Sequence, residues 1–160
     1  MPCRYKVVYN SSTNSYLFTT DSLAEYEVLF SEDNSLFDST VLANANTFHI
    51  ALNKLRAGIG GYDAEMQITF SAIIDHFFKD TERLLTYVFN DADGKELIRK
   101  RLFQMWEKKG KRSDIVKMDA EIITEDKTYH AGILFHNQNS IGRNEISRAF
   151  SEIIVELTEK

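Results

Sequence analysis

Cysteine is almost missing from this chain, and the single one, Cys3, has no second thiol to pair with. An internal disulfide is therefore excluded, and a reducing compartment is expected. Long apolar runs are missing as well, since no stretch approaches the ~20 residues that a membrane-spanning helix needs. The opening MPCRYKVVY lacks a small-residue cleavage site and holds only a short apolar run, so it does not read as a secretory signal. A cytoplasmic location is expected, with Asn10-Ser11-Ser12 serving as a turn rather than a glycosylation acceptor. Nucleophile signatures are lacking too: there is no G-x-S-x-G and no histidine paired in sequence with Cys3. Neither repeats nor linker-like stretches interrupt the chain, which makes 1–160 one expected domain.

What is present suits a globular core. Apolar residues make up 43% of 160, and 11 Phe and 7 Tyr predict an aromatic-rich interior that needs no disulfide or metal. The net charge of −5 argues against a general nucleic-acid binder, but the average conceals an asymmetry. Between Lys95 and Arg112 stand eight basic and two acidic residues, a local +6 that leaves −11 for the remainder. Such a charge dipole orients partners, a second copy of the chain included.

Hydropathy patterning gives the elements. Arg4–Tyr9, Ser15–Thr20 and Glu25–Phe30 read as strands of a meander, separated by turns at Asn10–Asn14 and near Asp21. In the third, Tyr26, Val28 and Phe30 share one face and Glu25 and Glu27 the other. Ser31–Asn46 reads as a long loop and Thr47–Leu52 as a fourth strand. Met66, Phe70, Ile73, Ile74 and Phe77 form one helical stripe, with Asp63 as the expected N-cap after Gly60-Gly61. Leu84–Phe89 is short and continuously apolar, as a strand buried on both faces would be. A second helix is expected from the stripe Ile98, Leu102, Met105 and Trp106. Two strands follow, Ile115–Thr124 and Thr128–His136, joined at Glu125–Lys127. In the second of these Tyr129, Ala131, Ile133 and Phe135 are expected to face the core, and His130, Gly132, Leu134 and His136 to face away. A last helix spans Asn144–Leu157 with Ile146, Ala149, Phe150, Ile153, Ile154 and Leu157 on one stripe. The expected fold is α+β: a mostly antiparallel, mixed sheet of about seven strands with three amphipathic helices, in the order ββββ-α-β-α-ββ-α.

Metal chemistry finds little footing. Setting Gly94 of Asp91-Ala92-Asp93-Gly94 at the sixth position of a calcium loop puts Phe89 first and Lys100 twelfth, and neither is a calcium ligand. That stretch reads as a strand-to-helix turn with a capping aspartate. His130 and His136, six residues apart on a strand, lie ~20 Å from each other, too far to share a zinc ion. His49 and His76 have no partner nearby in sequence. No metal site is expected.

Two surfaces are candidates for binding. The first is cationic: Arg99 and Arg101 flank the expected second helix, and Lys108, Lys109, Lys111 and Arg112 cluster at its end. Solvated basic residues bordering a core stripe, and cations at a helix C-terminus, also occur for purely structural reasons. The second is the run Arg56-Ala57-Gly58-Ile59-Gly60-Gly61 between a strand and a helix, where backbone amides of Gly58, Ile59, Gly60 and Gly61 could meet a pyrophosphate.

That run, the strand order and Trp106-Glu107-Lys108-Lys109-Gly110 resemble GNAT-type N-acyltransferases, which implies acetyl-CoA as cofactor. The glycines stand at +2, +4 and +5 from Arg56 rather than +3 and +5. Trp106 stands where that family has tyrosine, and an indole N–H only donates. Thr47–Leu52 supplies no carboxylate as a base.

Over nearly its whole length the chain resembles a bacterial family, domain of unknown function 6169. The strings SYLFTTDS and EYEVLF, ITFSAIIDHFF, LLTYVFNDADGKELIRKRLFQMW, KMDAEI and GILFHNQN carry the likeness. Phe89 and Glu107 depart from the family pattern, which favours cysteine and a second aromatic residue. The resemblance implies one integral domain and no particular activity, substrate or site residue.

The leading expectation is a non-enzymatic binding domain without cofactor, presenting its basic helix end to an acidic protein surface or to itself as a homodimer. CoA-dependent acyl transfer and nucleic-acid binding through the same basic segment are the alternatives.

Overall fold

In a computed structural model of the chain the described residues are 5–59, 64–90 and 114–158. Period-two patterning builds the first strands. β1 (Val8–Asn10), β2 (Ser15–Thr19) and β3 (Glu25–Glu32) form an antiparallel meander. The strand expected from Arg4 begins only at Val8, whereas β3 outruns its expected end at Phe30 by two residues. Tyr26, Val28 and Phe30 are buried and alternate with half-exposed residues, as their spacing requires. Asn14 turns the first hairpin at φ 52°, a left-handed conformation that asparagine tolerates well.

β4 (Asn46–Arg56) runs four residues beyond Leu52, where the apolar signal stops. Polar contacts hold this extension. The Asn53 amide donates to Glu27 at 3.0 Å, the Lys54 ammonium sits 5.7 Å from the Tyr26 ring, and Arg56 Nε donates to the Leu23 carbonyl at 3.0 Å. None of these leaves a hydrophobic period to read. α1 (Ala64–Phe77) follows β4 in sequence and precedes β5 (Arg83–Asn90), the kind of connection a parallel strand pair requires. β6 (Ile115–Ile123), β7 (Thr128–His136) and α2 (Arg143–Thr158) complete the described elements. Strand order in the seven-stranded mixed sheet is β1-β2-β3-β4-β5-β7-β6. The helix expected over Ile98–Trp106 and the N-cap at Asp63 lie outside the described residues.

By their contacts the described residues divide into two compact units. One comprises 5–31, 50–59 and 64–79; the other comprises 32–49, 80–90 and 114–158. The first has an aromatic core. Phe30 stacks on Phe77 at 4.3 Å and meets Tyr16 edge-on at 5.7 Å, and Phe18 stacks on Tyr26 at 5.5 Å. The buried Tyr16 hydroxyl lies 2.6 Å from Nδ1 of His76, giving the phenol the partner that burial demands.

In the second unit β4 pairs in parallel with β5, and β7 lies antiparallel between β5 and β6. Ile146, Ala149, Phe150 and Ile153 of α2 recur at helical spacing and join Leu84, Ile133 and Phe135 of the sheet in one core. Phe37 and Leu42 enter the same core from the segment expected to be a loop. That segment holds a short 3-10 turn at Ser35–Phe37. The outward face expected for β7 is a further correction. Leu134 is fully buried, and Gly132 stands beside Tyr87, whose ring occupies the space a Cβ would need. A central strand covered on both faces loses the alternation on which that expectation rested.

Candidate functional site

Within the second unit a cleft of about 440 Å³ opens where α2, the 3-10 turn and the parallel strand pair meet. Its volume falls in the range of small-molecule sites. The β4–β5 ladder runs from Asn46↔Arg83 to His49↔Thr86, and the two residues of that last rung both line the cleft. Val88, one period further on β5, continues the wall. Ile153, Glu156 and Leu157 close it from the last turns of α2, and Asp33, Ser35 and Leu36 close it from the start of the 3-10 turn. Apolar side chains thus share the lining with carboxylates, hydroxyls and an imidazole.

Local chemistry places these groups. Asp33 accepts the Ser35 backbone N–H at 3.0 Å, an Asx-type turn that opens the 3-10 segment. Its own N–H donates to the Thr47 carbonyl at 3.0 Å, which ties the turn to β4. Hydrogen bonds from the Ser35 hydroxyl and backbone N–H hold the Asp33 carboxyl below the usual aspartate range; nearby His49 adds to this and partial burial opposes it. Thr86 is buried, and its hydroxyl donates to the Phe48 carbonyl at 3.3 Å. Glu156 accepts from the Ser39 hydroxyl at 3.3 Å. The hydroxyl proton of Thr86 is therefore engaged within the protein. Neither lysine nor arginine is among the described residues of its lining.

Sequence reasoning passed over this site. His49 has no titratable neighbour in sequence, and it acquires Asp33 only when β4 and the 3-10 turn come together. Of the expected sites, Arg99, Arg101, Lys108, Lys109, Lys111 and Arg112 lie outside the described residues, as do Gly60 and Gly61. Gly58 and Ile59 are described. A Cβ on Gly58 would stand 2.7 Å from the Ser22 carbonyl oxygen and 2.8 Å from the Ala24 Cβ, so backbone packing against the β2–β3 turn accounts for that glycine. The Ile59 N–H donates to the same Ser22 carbonyl at 3.0 Å, so this amide is already engaged. Among the described residues no group of three or more His, Cys, Asp or Glu could hold a metal ion, and no helix is long and apolar enough to cross a membrane.

Fold and site together define an α+β protein with a ligand-sized cleft at the last rung of a parallel ladder. Residues 62–152, more than half of the chain, match the family of unknown function DUF6169, and the chain belongs to that family. No curated protein matches it. Among solved structures it is similar to one described as "Crystal structure of a putative phosphinothricin N-acetyltransferase". The identity is 12%, the coverage 79% of this chain and 72% of that one, and the TM-score 0.43. At that level of likeness no residue's role passes from that protein to this chain.

Proposed function

We propose that this protein works by binding, and that a small organic molecule occupies the cleft between the His49–Thr86 rung and the end of α2. The observation that carries this reading is the lining itself. A few polar groups stand there among apolar side chains, two of them fixed by internal hydrogen bonds, in a volume that suits a small ligand. Groups held in place before a ligand arrives lower the ordering cost of binding. Presentation of the basic segment Arg99–Arg112 to an acidic partner or a second copy is a separate part of the proposal, supported by the charge division of the sequence.

A thermal-shift screen of a fragment library against the wild type and Ser35→Trp tests the cleft. Ser35 is exposed at the mouth, so the indole fills the opening without entering the core. Fragments should raise the melting temperature of the wild type and leave the variant unmoved. Equal responses from both proteins would refute occupancy of the cleft.

A further inference from the structure

We draw no further inference here: the strongest candidate, the exposed aliphatic patch of Leu23, Leu55 and Ile59 where the β2–β3 turn meets the end of β4, is an apolar surface, and nothing in the structure shows what covers it.

Discussion

His49 on β4 stands opposite Thr86 on β5 in the last rung of their parallel ladder, and both line the cleft. Thr86 is also bonded back to the strand that carries His49, through its hydroxyl and the Phe48 carbonyl at 3.3 Å. The wall of the site is thus part of the sheet, held by backbone pairing and one buried side-chain bond.

Thr86→Val keeps the branched shape and deletes that bond. Stability should fall by about 1 kcal/mol, the usual net worth of one intramolecular hydrogen bond. Urea unfolding followed by circular dichroism measures it. An unchanged midpoint would mean that the hydroxyl does not anchor the wall.

Gly132 and Tyr87 are register partners on β7 and β5, and the tyrosine ring fills the place of the missing side chain. Gly132→Ala should cost about 1–3 kcal/mol through overpacking. Tyr87→Ala opens a cavity and should cost about 3–5 kcal/mol, the range for large aromatic-to-alanine changes. The double variant should be less destabilised than the two singles added together, because removing the ring makes room for the methyl. Strict additivity in a double-mutant cycle would show that the two residues do not compete for this space.

Asp33 makes stability depend on pH in a definite direction. Its folded carboxyl titrates below the unfolded one, so the stabilisation is present above the unfolded aspartate value of about 3.9 and is lost as pH falls through the lower, folded value. The stability difference between wild type and Asp33→Asn should be constant from about pH 5 to 7 and shrink below about pH 4. Urea midpoints across that range check this, and a difference that grows in acid would contradict the assignment. The effect is small, because the side chain is largely open to solvent and water screens its interactions.

Much of the architecture was legible because core contacts impose periods on the sequence. The alternation Tyr26, Val28, Phe30 marks the buried face of β3, and the stripe from Ile146 to Ile153 marks that of α2. The burial of Leu134 is not legible for a physical reason: a strand covered on both faces carries no alternation, so parity cannot say which side is wet. The end of β4 was missed because Asn53–Arg56 is held by polar contacts. The cleft was the least legible feature. Asp33, His49, Thr86 and Glu156 are ordinary residues at unrelated spacings, and tertiary structure alone makes them neighbours.

The cationic segment has its own test. Replacing Lys108, Lys109, Lys111 and Arg112 by glutamate should abolish self-association or capture of an acidic partner, measured by analytical ultracentrifugation at low salt. Wild-type association should weaken as salt rises and charges are screened. Association that survives both changes would remove this segment from the interface. Millimolar acetyl-CoA should leave the melting temperature unmoved, whereas a ligand at ~100 times its dissociation constant would add ~2.7 kcal/mol and return attention to Gly58–Gly61.

The most direct test of cleft binding is chemical-shift mapping of the strongest fragment from the thermal screen on isotope-labelled protein. Perturbed amides should concentrate at Leu36, Thr86, Val88, Ile153 and Leu157, and the shifts should disappear in Ser35→Trp. Perturbations gathered elsewhere on the chain, with those five amides unmoved, would contradict it.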